Sequence, residues 1–466
     1  MSKNRTDSNT DKLSLSTKLY YGVGDTGNAV VNSSVQFFLM KFFTDAAMIA
    51  PALAGSALLI GKIWDAVNDP VFGWISDKVK SPLGRRRVFM IFGAIPLAIA
   101  TMLLWFVPIG LSPVWIFIWI SFTFILWDTL WTMTNVPYYA LTAELTEDYD
   151  ERASLTAFRM VFAVPAFIIG AAVTPMIAGA FSDKRLGWGV VGITYGILAA
   201  AALFICASRI KERSTAAASS EKTSPLSVVI TALHNKPFVR LVTAYGIVNL
   251  AFALTKTLLV YLLSYQFHME KQVPLVMFLM LASVAAFLFP WKIISERLDK
   301  GPAYAIGIAI GGLAVAFTFL LPGRPSFMLY AVAIVAGIGF SANWVFPWAM
   351  IPDVVDYDQL KTGEQRSGIY YGLWGLVYKI SEALGLVVTG WVLQLFHYVP
   401  NVEQTPQALL GIRLFVGPVP AILFFASLPL LIWYPVTRKT HMEIRRKLHK
   451  DETAGKKEEL VQEMSF

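Results

Sequence analysis

Two aspartates, Asp65 and Asp69, lie four positions apart within an otherwise apolar segment of the chain. This spacing places both carboxylates on the same face of a helix. A carboxylate inside a membrane is costly, and two of them this close require a bound cation, a shared proton or a basic partner. The pair therefore predicts a binding site for a coupling ion in a membrane protein.

A second group of polar residues lies in the fourth apolar segment. Its members are Asp128, Thr132, Asn135 and Tyr139, with Trp127 and Trp131 beside them. The spacings of four, three and four positions place the four polar side chains on one helix face. Such groups beside flat rings suit a polyhydroxylated ligand, which presents hydrogen-bonding edges and apolar C–H faces. Hydrogen bonding between helices is the alternative role, and for Thr132 the two roles are equally favoured.

Charged residues also occur in other apolar segments, at Asp25, Arg159, Lys256, Lys379 and Glu382. Charged side chains inside a membrane are candidates for function. Lys379 lies in the middle of the eleventh segment and is the expected cationic partner of the two helix-two aspartates, with a structural ion pair between the halves as the alternative. Glu382 is placed to pair locally with Lys379. We expect Lys256 to snorkel to the membrane surface or to form an ion pair, with binding of an anionic substrate group as the alternative.

The composition is that of an integral membrane protein. Of the 466 residues, 56% are hydrophobic and 15% are charged, and the mean hydropathy is +0.57, whereas a soluble domain has about 25% charged residues. Twelve apolar segments are long enough to cross a bilayer as helices. They span residues 18–44, 51–75, 88–109, 114–142, 155–181, 187–209, 238–266, 272–294, 302–322, 327–354, 367–396 and 410–435. We therefore predict an all-α integral membrane fold with twelve transmembrane helices.

A long polar loop divides the predicted spans six and six. The predicted organisation is an N-terminal tail (1–17), a six-helix bundle (18–208), a linker (209–237), a second six-helix bundle (238–435) and a basic C-terminal tail (436–466). The tripeptide at 148–150 recurs at 356–358, after the fourth span of each half, which favours a parallel duplication around a central cavity. Lys and Arg concentrate in the tails and in the loops on the same side, so both termini are expected in the cytoplasm.

The loop between the second and third predicted spans contains a cluster of charges. Asp77 ends one helix, and Arg85 and Arg86 precede the next, in a pattern that resembles the signature loop of the major facilitator superfamily. Such charges can latch one side of two halves in one conformational state and release it in another. The alternative for the arginines is a topological role alone.

Five stretches of the chain together resemble the glycoside–pentoside–hexuronide:cation symporters, the group that contains the melibiose carriers. These stretches are residues 21–28, 64–74, 135–139, 353–358 with 362–368, and 411–414 with 417–418. The resemblance extends over residues 18–448. It implies a major facilitator fold, with two pseudo-symmetric six-helix bundles around a central cavity, and uptake of a sugar coupled to Na⁺, Li⁺ or H⁺.

The resemblance also implies roles for individual residues. By position, Asp65, Asp69 and Thr132 correspond to the cation site, and Lys379 corresponds to the lysine near both sites. The predicted substrate-binding residues, some from the resemblance and some from the polar face, are Asp25, Asp128, Trp131, Asn135, Tyr139, Arg159, Trp344 and Lys379. The predicted gating residues are Asp77, Arg85, Arg86, Asp356 and Arg366.

The chain departs from the melibiose carriers where those proteins recognise sugar. Asn28 and Ala29 stand in place of their Lys–Asp pair, Asn135 replaces a carboxylate, and Tyr139 replaces a stacking tryptophan. The galactoside pattern is therefore largely missing, so either another carboxylate stands in or the substrate differs. Asp128, in place of a small residue, leaves proton coupling open, whereas the intact cation-site residues favour Na⁺.

We predict a secondary active transporter, not an enzyme, that takes up a glycoside, pentoside or hexuronide by alternating access. The expected coupling ion is Na⁺ at Asp65 and Asp69, or H⁺. No enzyme activity and no cofactor is expected, since the sequence contains no P-loop, metal-ligand cluster or nucleophile elbow. No nucleic-acid partner is expected, because the basic residues are sorted by membrane side. The protein is expected to function as a monomer in a bacterial inner membrane. The alternatives are a cation-coupled lysolipid carrier of the same fold and a transport-inactive sensor.

Overall fold

The computed structural model describes residues 13–146, 149–210, 212, 232–363 and 367–448, apart from the side chains at positions 77, 143, 149, 150 and 153. Much of the predicted linker, most of both predicted tails and Arg366 lie outside the described residues. The described residues form helices joined by turns and loops, with no β-strand among them. The helices are α1 (Leu15–Lys41), α2 (Pro51–Lys78), α3 (Arg87–Leu104), α4 (Pro113–Leu145), α5 (Tyr149–Gly179), α6 (Lys184–Arg209), α7 (Lys236–Tyr261), α8 (Val273–Leu298), α9 (Lys300–Phe317), α10 (Met328–Thr362), α11 (Ser367–Leu395), α12 (Pro406–Val416) and α13 (Pro418–Ile432).

Ten helical segments within the described ranges are long and apolar enough to cross a membrane. The other two, α1 and α2, are of similar length, at 27 and 28 residues. They are more polar, and α2 carries Lys62, Asp65 and Asp69 near its middle. α12 and α13 meet at Gly417 and together form one crossing. The fold is therefore all-helical with twelve membrane crossings, as the apolar segments of the sequence predict.

The first turn of a helix has backbone N–H groups without a partner in the helix, and several helices here begin with a residue that compensates for this. Ser14, Asp183, Asn235 and Thr405 each accept a hydrogen bond from a backbone N–H of the helix that follows. α2 and α4 begin with proline, which has no N–H group to leave unpaired. α10 ends at Gly363, whose φ of +75° lies in the left-handed region that favours glycine.

The helices pack as two six-helix bundles. In the first bundle α1 packs on α5 and α6, α3 packs on α4 and α6, and α2 packs on α4. In the second, α10 packs on α8 and α9, and α7 packs on α11 and α13. The bundles meet through three helix pairs, α1 with α7, α2 with α11, and α5 with α8. These three pairs surround the space between the bundles.

The membrane side opposite the termini, called the far side below, joins the two bundles tightly. One buried apolar core runs through the first bundle and continues on the far side into the adjoining ends of α7, α8 and α11. α2 and α11 also approach closely there, because a Cβ atom at Gly390 would lie 2.5 Å from the carbonyl oxygen of Pro51. Small residues permit such contacts between membrane helices.

A polar cluster, called the Asp45 cluster, adds hydrogen bonds across the same interface. The Asp45 carboxylate accepts from Lys41 at 2.9 Å, from Tyr265 at 2.6 Å and from Tyr398 at 2.5 Å. Asn401 donates to the backbone oxygen of Asp45 at 2.7 Å. Lys41 and Asp45 belong to the first bundle and the other three residues belong to the second, so the cluster closes the far side.

The side of the termini is arranged differently. The ion pairs described there join groups of the same bundle, at 2.7 Å between Arg85 and Glu144 and at 2.6 Å between Lys300 and Asp353. Near the middle of α2, the Asp69 side chain is 42% exposed. Since the far side is closed, this exposure means that the space between the bundles opens towards the termini.

Candidate functional site

The two helix-two aspartates lie at the centre of a cluster that three helices build. α2 presents both carboxylates on one face, and α11 places Lys379 against them. The Lys379 ammonium donates to Asp65 Oδ1 at 2.9 Å, to the Asp65 backbone oxygen at 2.9 Å and to Asp69 Oδ2 at 2.6 Å. A single lysine therefore occupies both carboxylates and joins the two bundles.

α4 supplies the third wall of this cluster. The Thr132 hydroxyl donates to Asp69 Oδ1 at 2.9 Å. Two further hydrogen bonds hold α4 beside α2: Trp64 donates to the Thr129 hydroxyl at 2.8 Å, and Asn68 donates to a backbone oxygen of α4 at 3.3 Å. The Thr132 oxygen is thus held within reach of any ion that the carboxylates bind.

Lys62 is a member of the cluster that the sequence analysis missed. It lies three residues before Asp65 on α2, and its Nζ is 3.3 Å from Asp65 Oδ2. Its spacing alone could have signalled the contact, because residues three apart share a helix face. With Lys62, two described cationic side chains face the helix-two carboxylates.

Asp128 lies beside this cluster and not in the lining of the substrate cavity described below. Its side chain is 2% exposed, and its Oδ2 atom has no hydrogen-bond partner among the described residues. The charges of Lys62, Asp65, Lys379 and Asp69 all act on it. With all five groups ionised, three carboxylates face two ammonium groups, so the formal net charge of the cluster is −1, which a monovalent cation or a proton would neutralise.

A cavity of about 450 Å³ lies between the bundles. Of the predicted substrate-binding residues, Asp25, Trp131, Tyr139 and Trp344 line it. Eight further aromatic side chains are among its other described lining residues: Phe37, Phe167, Tyr245, Phe252, Phe340, Trp348, Trp374 and Tyr378. Trp131 and Tyr378 each precede a residue of the ion cluster, Thr132 and Lys379 respectively, so the two sites share α4 and α11.

Of the other predicted substrate residues, Asp128 and Lys379 belong to the ion cluster, and Arg159 and Asn135 lie behind this lining. Arg159 Nε lies 3.4 Å from Asp25 Oδ2, and its guanidinium stacks over the Tyr139 ring at 4.9 Å. Asn135 accepts a hydrogen bond from Asn28, which itself lines the cavity. Arg159 and Asn135 are therefore placed to position the lining groups that they contact, and neither is among the described lining residues.

Glu382 pairs with Lys256 and not with Lys379, so the expected local pair is wrong. Lys256 Nζ lies 2.6 Å from Glu382 Oε2 and 3.0 Å from Gln36 Oε1. The reason is tertiary: Lys379 turns to the helix-two carboxylates, while α7 brings a second lysine to Glu382. Lys256 forms an ion pair, one of its two expected roles.

The predicted gating residues pair within single bundles in this conformation. Arg86 Nε lies 2.8 Å from Glu144 in the first bundle. Asp356 of the second bundle pairs with the C-terminal tail that follows that bundle: its Oδ2 lies 3.1 Å from His441 Nε2 and 3.3 Å from Arg445 Nε. The Asp77 side chain and Arg366 lie outside the described residues. A latch between the bundles at the side of the termini stays a prediction, for a conformation in which that side is closed.

Comparison with known proteins places this geometry in a family. The family model for MFS/sugar transport proteins matches residues 20–438. An uncharacterized symporter of Synechocystis sp. is 31% identical to this chain, in an alignment that covers 94% of this chain and 97% of the symporter. YagG of Escherichia coli, named as a candidate glycoside/cation symporter, is 25% identical over 95% of this chain and 96% of its own. A sodium-dependent lysophosphatidylcholine symporter of Gallus gallus is 26% identical over 94% of this chain and 90% of its own.

Solved structures support the same fold. A bacterial homologue of the human lysosomal transporter Spinster superposes with a TM-score of 0.63 over 94% of this chain and 98% of that chain, at 14% identity. The family match and the arrangement of two bundles around a cavity agree with one another. The chain therefore belongs to the MFS/sugar transport protein family and is a multi-pass cation symporter of the major facilitator type, not an enzyme.

Proposed function

We propose that the protein takes up a sugar together with Na⁺ across a bacterial inner membrane, with both termini in the cytoplasm. The observation that carries this proposal is the three-way contact of Lys379, Asp69 and Thr132. It joins a lysine of one bundle to a carboxylate and an oriented hydroxyl of the other, next to the cavity.

The oxygen atoms of the cluster suit a small monovalent cation. Two carboxylates, the Thr132 hydroxyl and the Asp65 backbone oxygen are hard ligands of the kind that alkali and alkaline-earth ions prefer. The single net negative charge of the cluster matches one positive charge. H⁺ would satisfy the same charge balance but would not need the threonine hydroxyl, so the donor set favours Na⁺ over H⁺.

Ion binding and the contact between the bundles compete for the same carboxylates. In the present conformation Lys379 holds both of them, and a cation that enters must displace the ammonium group. Displacement removes this contact between α11 and α2, and α11 also carries Tyr378 and Glu382 of the cavity lining. The ion therefore reshapes the cavity, and by linkage the substrate must raise the affinity for the ion by the same factor.

The cavity favours a sugar as the substrate. Its volume of about 450 Å³ lies within the usual range for small-molecule sites. Aromatic rings on its walls can stack on the apolar C–H faces of a pyranose, while carboxylate and amide groups between them can bond to hydroxyls. The two bundles would rock about this site and expose it to each side of the membrane in turn.

The test is uptake by the full chain in proteoliposomes. A panel of labelled neutral glycosides, pentosides, uronides and lysophosphatidylcholine is offered under an inward gradient of Na⁺, Li⁺ or H⁺. We expect concentrative uptake of a sugar that depends on Na⁺ and stops when the gradient is collapsed. Uptake of every sugar without any ion dependence, or no uptake of any sugar, would refute the proposal.

A cation-coupled lysolipid carrier is the second candidate, and one observation favours it. Asn135 and Thr132 are bonded to other residues, so the polar face of α4 contributes less to the cavity than its sequence suggests. Aromatic and aliphatic side chains together make up most of the described lining. The relative from Gallus gallus is named for lysophosphatidylcholine. Na⁺-dependent transport of lysophosphatidylcholine alone in the same panel would favour this candidate.

A further inference from the structure

A chain of hydrogen bonds crosses the cavity from one bundle to the other. Gln36 donates to Asn32 at 3.0 Å, both on α1, and Lys256 on α7 donates to Gln36 at 3.0 Å and to Glu382 on α11 at 2.6 Å. All four side chains line the cavity. Among the described residues, the ion pair at the centre of this chain forms no hydrogen bond with the carboxylates of the cation site, and Glu382 acts on that site only through its charge on Lys62.

The bonding capacity of this pair is only partly used. A lysine ammonium has three hydrogens to donate, and a carboxylate has two oxygens that can each accept more than one bond. Among the described residues, Lys256 uses two donors, and Glu382 accepts through Oε2 alone. One ammonium hydrogen and the Oε1 oxygen are therefore available beside the cavity.

The surroundings of the pair match a sugar ring. Phe252 lies one turn before Lys256 on the same face of α7 and also lines the cavity. Its ring packs edge-on against Phe340 at 4.4 Å, which holds it in place. An aromatic ring one helical turn from a free donor and a free acceptor can support the C–H face of a sugar while its hydroxyls reach the polar pair.

The charges of the lining select among sugars. Lys256 is the one cationic side chain among the described lining residues, and it is already neutralised by Glu382. Asp25 adds a second lining carboxylate, with Arg159 behind it. A uronate would therefore bring a negative charge to two carboxylates without an unpaired cation, and the burial of an uncompensated charge is strongly unfavourable.

We propose that Lys256 and Glu382 form a subsite for two adjacent hydroxyls of a neutral sugar, a role that rests on the proposed function. Glu382 accepts a hydrogen bond from one hydroxyl, and Lys256 donates to the oxygen of its neighbour. The substrate is accordingly a glycoside or pentoside with a vicinal diol and without a carboxylate.

The test compares purified wild-type protein with Glu382→Gln, which is isosteric, and with Lys256→Gln, which removes the ammonium group and keeps a polar side chain. Sugar affinity is measured at saturating Na⁺ for the neutral sugar that the uptake panel identifies, for its deoxy analogues and for the matching uronate. Na⁺ affinity is measured without sugar. We expect a 10-fold to 100-fold loss of sugar affinity in each variant, the size of a bond to a charged group, with Na⁺ affinity within about 2-fold of wild type.

Deoxy analogues separate this role from a structural one. The wild type should lose about 10-fold or more in affinity for an analogue that lacks either bonded hydroxyl. Glu382→Gln should discriminate much less than the wild type against the analogue that lacks the hydroxyl bonded to Glu382, and as strongly as the wild type against the analogue that lacks the hydroxyl bonded to Lys256. Lys300→Gln is the matched control, because Lys300 forms an equally short ion pair with Asp353, at 2.6 Å, away from the cavity. It should bind the sugar as the wild type does.

The exchanged pair Lys256→Glu with Glu382→Lys guards against a folding defect in the single variants. It restores an ion pair with the two groups in each other's place, so it should recover thermal stability but not sugar affinity. Wild-type sugar affinity in the exchanged pair or in Glu382→Gln, or a preference of the wild type for the uronate, would overturn the subsite while leaving sugar symport intact. If the wild type bound no sugar in the presence of Na⁺, the proposed function and the subsite would both fail.

Discussion

Asp69→Asn is the sharpest perturbation of the ion cluster. The substitution keeps the shape of the side chain and removes one negative charge, so the formal net charge of the cluster of three carboxylates and two lysines changes from −1 to 0. Asp69 accepts from Lys379 at 2.6 Å and from Thr132 at 2.9 Å. The amide can still accept from one of these donors, but it no longer offers an anionic ligand to an entering cation.

The structure sets the expected size of this effect. Interactions with a charged group contribute about 1.5–3 kcal/mol, and the side chain of Asp69 is 42% exposed, so solvent screening favours the lower part of that range. We expect Na⁺ affinity to fall by roughly 10-fold to 30-fold. Because the driving ion then binds too weakly to hold the carboxylates against Lys379, concentrative uptake should be lost.

Two measurements test the predicted effect of Asp69→Asn. Na⁺ titration of the purified variant gives the affinity, and exchange of labelled for unlabelled sugar at equal concentrations shows whether the carrier still moves sugar without a driving force. Exchange should survive while accumulation is lost. Asp183→Asn, at the exposed start of α6, removes a carboxylate far along the chain from the cluster and should leave both unchanged. Full Na⁺-driven accumulation by Asp69→Asn would refute the coupling role.

Three further predictions concern the buried carboxylate and the far side. Asp128→Asn should weaken Na⁺ binding in the absence of sugar by roughly 3-fold to 10-fold, because one negative charge is lost. The affinity for sugar at saturating Na⁺ should not change, and calorimetry can measure both affinities. Tyr398→Phe removes a hydrogen-bond donor that lies 2.5 Å from Asp45. It should raise the fraction of molecules that are open on the far side by roughly 10-fold. The measurement is the labelling rate of Asn32→Cys by a membrane-impermeant thiol reagent, which should increase. Gly390→Val should accelerate the same labelling, because its Cβ would lie 2.5 Å from a backbone oxygen of α2.

The labelling experiments have a low background, because Cys206 is buried. Tyr371→Phe is a suitable control for the tyrosine variant, since Tyr371 is 40% exposed on α11. Unchanged labelling in both Tyr398→Phe and Gly390→Val would contradict the conclusion that these contacts close the far side. A tenfold loss of sugar affinity in Asp128→Asn at saturating Na⁺ would move that residue from the ion cluster to the substrate site.

The bounds of the helices show where sequence patterns stop being informative. The apolar segment predicted at 327–354 continues as a helix, α10, to Thr362, because the backbone can stay helical in water after the lipid-facing residues end. The segment predicted at 410–435 is two helices that meet at Gly417, where φ and ψ are −98° and −91°. Hydropathy measures contact with lipid, and helix geometry is a property of the backbone, so the two need not end together.

Partners within one helix could be predicted from spacing, whereas partners between helices could not. The four-residue spacing of Asp65 and Asp69 was enough to put their carboxylates on one face. Lys379 and Glu382, three residues apart, also share a face, yet they bind different partners, because α2 reaches one and α7 reaches the other. The contacts of Asp45 with Tyr398 and Asn401 join positions more than 350 apart in the chain, and no local pattern signals them.

The sequence by itself determined the twelve apolar segments, the acidic pair of helix two and the family, because these depend on composition and on periodicities of a few residues. Only the tertiary structure decided that Lys379 spans both aspartates, that Asp128 lies with the ion cluster, and that Lys256 of α7 pairs with Glu382 of α11 beside the cavity. The physical reason is that the period of a helix sets which side chains share a face, while the packing of whole helices sets which faces meet.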